Sequence, residues 1–208
     1  MSRNAADVTA ALGASGSGKS AWLKRLLARE KPRRLIVWDP MREYGHVAGP
    51  LDRLSPLVAQ LELAGSRGGF RLVFQPALDQ AQREKQFDFI CRSALDAGNL
   101  TIVCEELKFV TSPSRAPLGW AQVTMTGRHK GLRVIGTSQR PASIDKDFFG
   151  NCTVIHTGRL AYPEDVRTVA RAMGVEDSAI PTAPLCWLEK NMQTGAISRG
   201  VLKFPKAA

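Results

Sequence analysis

Between an apolar run at residues 8–12 and a helix-forming run at residues 21–29 the chain reads Gly13-Ala14-Ser15-Gly16-Ser17-Gly18-Lys19-Ser20. This G-x-x-x-x-G-K-[ST] spacing, set between strand and helix, is the pattern of a phosphate-binding loop. Its glycines let the backbone curl until successive N–H groups face one point, and the positive end of the next helix reinforces that field. Lys19 then reaches the β- and γ-phosphates, and Ser20 becomes a ligand for Mg²⁺. A Gly/Ser-rich linker gives no reason for Lys-Ser after the last glycine, or for a helix to begin there. The loop predicts a nucleoside triphosphate ligand.

With 208 residues the chain is long enough for one α/β domain and too short for two full ones, so residues 1–208 read as a single domain. Six short runs rich in apolar and β-branched residues, at 8–12, 35–38, 70–74, 100–104, 132–137 and 152–157, predict strands covered on both faces. Helices are expected at 19–29, 55–63, 80–97, 118–126 and 163–173, the last with Pro163 in its first turn and Gly174 at its stop. Residues 186–190 and 196–204, around Gln193-Thr194-Gly195, predict a C-terminal β-hairpin. The expected class is α/β, a mostly parallel central sheet flanked by helices, with ligands at the carboxyl ends of its strands.

Twenty-nine Lys and Arg against 19 Asp and Glu leave a formal charge of +10, a bias towards polyanionic partners. The four cysteines, Cys91, Cys104, Cys152 and Cys186, show neither CxxC nor zinc spacing and read as reduced core residues of a cytosolic compartment. No apolar run reaches the length of a membrane span, and the first residues lack a signal-peptide core, so the expectation is a protein that is not secreted and has no transmembrane segment of its own.

Leu100 to Glu106 reads LTIVCEE, an apolar strand whose tip carries two acids. Alone, that pattern describes any solvated strand end. With a phosphate loop upstream, one carboxylate is suited to the metal ion and its neighbour to polarising the attacking water. Glu105 falls in the metal position, where Asp is usual, and Glu106 in the position of the base. Downstream, TGRHKGLRVIGTSQRP takes a helix end through Gly131 into a strand that finishes at Ser138-Gln139-Arg140-Pro141. A polar side chain on that strand, beside the acidic one, can touch both the γ-phosphate and the water, and Gln139 has that place.

Together these segments resemble the HerA/FtsK superfamily of DNA-pumping ATPases, which show the loop, the two-acid strand and an R-x-x-G-strand-T-Q-R-P segment. The resemblance extends to Ile36-Val37-Trp38-Asp39-Pro40 with Glu43-Tyr44 beyond it, and to residues 151–159 and Pro163-Glu164-Asp165-Val166-Arg167, spanning 8–173 in all. It implies a RecA-like P-loop ATPase fold, with ATP and Mg²⁺ bound. The small size is closest to the genome-packaging ATPases of membrane-containing double-stranded DNA viruses. That likeness implies a homo-oligomeric ring, usually hexameric, that moves double-stranded DNA without regard to sequence. It also implies docking to capsid-vertex or viral-membrane proteins, and a location in the host cytoplasm or virion.

By motif, Arg128 aligns with the arginine that enters a neighbouring subunit's nucleotide site, with Arg140 and Arg159 as substitutes; its fixed charge and forked donors suit a phosphoryl transition state. The catalytic set so implied is Lys19, Glu106, Gln139 and Arg128. A solvated basic helix end at Arg128-His129-Lys130 is the simpler alternative. A filamentous-phage type of morphogenesis ATPase and a small-molecule kinase also carry such a loop. The first usually bears a membrane span, and the second needs an arginine-rich lid that the sequence does not offer.

Other conspicuous residues read as structural. His46, His129 and His156 lack acid partners at useful sequence spacing, and Trp38, Trp120 and Trp187 lie in core-like contexts. Lys24, Arg25, Arg29, Lys31, Arg33 and Arg34 read as a solvated helix face. Loops at 108–115 and 145–149 are the expected DNA contacts.

Overall fold

The alternation of strands and helices is realised in the computed structural model, which describes residues 6–204. The chain runs β1 (Asp7–Leu12), α1 (Lys19–Glu30), β2 (Arg34–Trp38), β3 (Pro50–Leu51), α2 (Leu54–Ala64), β4 (Phe70–Phe74) and α3 (Gln80–Ala97). It continues through β5 (Thr101–Cys104), α4 (Leu118–Thr126), β6 (Arg133–Ser138), α5 (Lys146–Asn151), β7 (Val154–Gly158), α6 (Pro163–Met173), β8 (Cys186–Asn191) and β9 (Ile197–Val201). One nine-stranded sheet has the order β3-β4-β2-β5-β6-β1-β7-β8-β9. Its strands are parallel except for the antiparallel β7-β8-β9 edge.

Strand periodicity divides the core into two layers. Leu35, Val37, Val103 and Ile135 point to one face and bury Leu23, Leu26 and Leu27 of α1. Ile36, Trp38, Ile102, Cys104 and Val134 point to the other, where Phe87, Trp120 and Phe148 of α3, α4 and α5 meet them. Each α1 leucine removed from water contributes about 2 kcal/mol, so the helix behind the phosphate loop is fixed by packing. Helix ends follow local chemistry: Asp79 accepts the amide of Gln82 at 2.8 Å, Pro163 opens α6, and Gly174 closes it at φ 59°.

Several expectations are corrected. Strand β3 went unread because two residues carry no periodicity; it pairs with β4 at the sheet edge, where Pro50 is tolerated. The segment expected as a loop at 145–149 contains the start of α5, capped by Asp145 and anchored by fully buried Phe148, whose ring fills the space over Gly136. Arg34 is not solvated: it is buried, stacks on Phe70, and donates to the carbonyls of Gly65, Gly68 and Ala97. Trp38 and Trp120 are core, whereas Trp187 is half-buried. The second hairpin strand ends at Val201, because the chain then leaves the sheet and Leu202 packs over Gly18.

His156 does have an acid partner, Glu189, its cross-strand neighbour between β7 and β8. Burial lowers the pKa of His156, so the ring is neutral near pH 7. The carboxylate can only accept, so Nδ1 carries the proton in the 3.0 Å bond, and the ring stacks between Trp22 and Trp187.

Candidate nucleotide site

The loop from Gly13 to Ser20 leaves β1 at its carboxyl end and turns into α1. Gly13, at φ 152°, is where a side chain is excluded twice over. A Cβ there would meet Ser17 Oγ at 2.3 Å, in a backbone conformation that L-residues rarely adopt. Gly158 of β7 presses on Ser17 from the other side, with a notional Cβ 3.0 Å from Ser17 Cβ.

Three loop amides are committed within the protein. Gly13 N donates to Ser138 O, Ala14 N to Arg159 O, and Ser17 N to Ala14 O. Among the described residues the amides of Ser15, Gly16, Gly18, Lys19 and Ser20 have no backbone acceptor, the last two because they open the helix. They border a cavity of about 210 Å³ lined by residues 14–21, Glu43 and Gln139. A ring of free N–H groups at a helix N-terminus is an anion site.

Beneath the loop lie the two acids, both 1% exposed. Glu106 takes a left-handed conformation (φ 49°), uncommon for Glu, which brings Oε1 to 2.8 Å from Lys19 Nζ. Its Oε2 accepts the Gln139 amide at 3.2 Å, and its own amide donates to Thr137 Oγ1 at 3.1 Å. Glu105 accepts the hydroxyl of Tyr44 at 2.9 Å. Tyr44 is held in turn by Asp39, whose carboxylate accepts the amides of Glu43 and Tyr44 at 2.9 Å each. Burial, followed by the charges of Glu43 and Asp39, pushes Glu105 up to about 7 despite the nearby Lys19 ammonium.

The order of β2, β5, β6 and β1 in the sheet therefore brings Asp39, the acidic pair, Gln139 and the loop to one end. The contribution of Asp39 and Tyr44 was legible only as part of a family pattern, because it depends on β2 lying beside β5. Arg128 is elsewhere. It is exposed in the 3₁₀ turn that precedes β6, whereas Gln139 follows that strand, so the two are separated by about 20 Å of strand. Arg159 and Arg140 stay on the site side: Arg159 Nη2 donates to Ser15 O at 3.4 Å and Arg140 Nε to Asp165 at 2.8 Å.

Among the described residues no three His, Cys, Asp or Glu side chains are arranged to hold a metal by themselves. A phosphate cradle that ends in a hydroxyl, tied through Lys19 to a buried acidic pair, does fit Mg²⁺, which takes one or two protein oxygens and completes its shell with phosphate and water. Ser20, Glu105 and Glu106 are the oxygens available.

The sheet and loop define a P-loop ATPase fold. Solved structures of viral genome-packaging NTPase B204 and of the conjugation coupling protein TcpA share this fold. B204 of Sulfolobus turreted icosahedral virus 2, solved in complex with ATP-gammaS, matches with TM-score 0.75 at 17% identity, covering 96% of this chain and 98% of that one. The conjugation coupling protein TcpA of pCW3 matches with TM-score 0.61 at 14% identity, over 96% of this chain and 60% of TcpA. In sequence, Protein P9 of Pseudoalteromonas phage PM2 is 27% identical over 163 residues, 76% of this chain and 71% of P9. No family model matches the chain. No helix among the described residues is long and apolar enough to cross a membrane.

Proposed function

We propose that the protein hydrolyses ATP to move double-stranded DNA into a viral capsid. The observation that carries this reading is the convergence of Lys19, Glu106 and Gln139 at the mouth of the phosphate loop. Free amides of the loop bind the β- and γ-phosphates, and Lys19 leaves Glu106 to meet them. Glu106, freed of its cation, then accepts a proton from the attacking water, and Gln139 orients that water against the γ-phosphate. Ser20 and Glu105 would hold Mg²⁺, which would supply charge neutralisation on the phosphates when bound.

Arg128 cannot serve its own site from the far end of β6, whereas Arg140 and Arg159 are already engaged beside it. This favours Arg128 as a group supplied to a neighbour in a head-to-tail ring, proposed here as a hexamer. The fold likeness to packaging NTPase B204 and the similarity to phage Protein P9 support the viral setting. Docking is to a capsid vertex or viral membrane protein, and the protein works in the host cytoplasm and the virion.

The test is ATP turnover with and without linear duplex DNA, together with sizing in the presence of a non-hydrolysable ATP analogue. Turnover raised by DNA of any sequence, in a ring-sized particle, is expected. Turnover that requires a small acceptor, or a monomer under all conditions, would overturn the reading.

A further inference from the structure

A fully buried carboxylate in α6 has both oxygens committed to the loop that carries Gln139. Asp165 lies in the first turn of that helix, where helix amides and the dipole already favour a negative charge. Its oxygens reach away from the helix instead. Oδ2 accepts Arg140 Nε at 2.8 Å, and Oδ1 accepts the Ala142 amide at 2.9 Å. The two bonds bracket Pro141, whose ring fixes φ, so the segment between them is short and stiff.

The upstream side of Gln139 is held as well. Ser138 Oγ accepts the Arg140 amide at 3.0 Å, and Glu106 Oε2 accepts the Gln139 amide at 3.2 Å. The Arg140 guanidinium lies 3.9 Å from the centre of the Tyr162 ring, at the residue that leads into α6. Gln139 thus sits between a β6 anchor and an α6 anchor, its backbone amide held by Glu106, and it lines the cavity beside the phosphate loop. Burying one carboxylate of an ion pair completely is a costly way to gain stability alone, since apolar residues of similar volume often do as well. It does fix direction, which a side chain orienting a reacting water needs.

We propose that Asp165 is a positioning residue for hydrolysis, holding Gln139 in place through Arg140 and Ala142. The inference rests on the role proposed above for Gln139. Asp165→Asn keeps the size and one acceptor and removes the charge that holds Arg140. Turnover should fall about 10- to 100-fold, the scale of a reacting group displaced by about an ångström, while affinity for AMPPCP stays within about twofold.

The decisive measurement is a cycle with Gln139→Ala, done with duplex DNA present and absent. If Asp165 acts through Gln139, Asp165→Asn costs less than about twofold once Gln139 is gone. Full multiplication of the two losses, or AMPPCP affinity that falls with turnover, reduces Asp165 to a structural role and overturns the inference. Normal turnover by Gln139→Ala alone overturns the earlier reading of that residue instead. Should Asp165→Asn fail to fold, Arg140→Gln, at a half-buried site, carries the same cycle. Arg140→Lys, which can keep the ion pair, should recover part of the lost turnover.

Discussion

Lys19 Nζ lies 2.8 Å from Glu106 Oε1, and both side chains are buried. Each is the other's counter-charge, so the two substitutions are not symmetric. Lys19→Ala removes the phosphate ligand and leaves Glu106 buried without its cation, a loss on the order of 3–5 kcal/mol. It should abolish nucleotide binding and lower the melting temperature. Glu106→Gln keeps a polar group of the same shape and should bind ATP while turnover drops at least about 100-fold. Normal hydrolysis by Glu106→Gln would remove it from the role of base.

Glu105 makes a separate, pH-dependent prediction. Its pKa stands at about 7 in the folded protein, above the ordinary carboxylate value of 4.5, because burial disfavours the charge. The folded state therefore keeps a proton that the unfolded chain releases, and this group's contribution to stability falls as pH rises from about 4.5 to 7. Comparing wild type with Glu105→Gln isolates the effect, since His156, which acts in the opposite sense, is common to both. Between pH 5 and pH 8 the melting temperature of wild type should drop relative to the variant by on the order of 5 °C. Tyr44→Phe removes a hydrogen bond that favours the ionised form, so the window should move to higher pH. A pH-independent difference between wild type and Glu105→Gln would contradict the burial argument.

Arg128 is tested by complementation. Arg128→Ala should bind ATP almost normally and hydrolyse it about 1,000-fold more slowly, because the lost interaction belongs to the transition state. Mixed with Lys19→Ala, it forms rings in which some interfaces join an intact loop to an intact Arg128, and part of the turnover should return. Mixed assemblies of proven size without recovered turnover would move the assignment to Arg159 or Arg140.

How far the sequence was legible follows from what each feature depends on. The loop, the acidic strand tip and Gln139 are local patterns in a fixed order, and the parallel sheet needs only buried runs spaced by helices. Tyr44 on Glu105, Glu189 on His156 and Asp165 on Arg140 each depend on which elements lie side by side. Arg34 was misread because a cation at a strand start looks the same in sequence whether it meets water or three carbonyls. Helix α5 was missed since six residues give too few turns for an apolar stripe, and Phe148 declares itself only against Gly136.

The proposed DNA face can be tested through two segments that the fold brings together on the nucleotide side of the sheet. The Asp145 amide donates to Thr111 Oγ1 at 3.4 Å, joining the segment after β5 to the start of α5. Lys108 and Arg83 lie over the ring of Phe109, 5.1 and 5.3 Å from its centre, and Lys146 is exposed nearby in sequence on α5. A motor that holds the phosphate backbone should bind duplexes of any sequence with similar affinity, and that affinity should weaken steeply with salt. Each cation that contacts a phosphate contributes about 0.9 to the slope of log affinity against log salt. Lys108→Gln combined with Lys146→Gln should therefore reduce the slope by about 2 and leave turnover without DNA unchanged. An unaltered slope would place the DNA on another face, and a strong preference for one short sequence would point to a regulator in place of a motor.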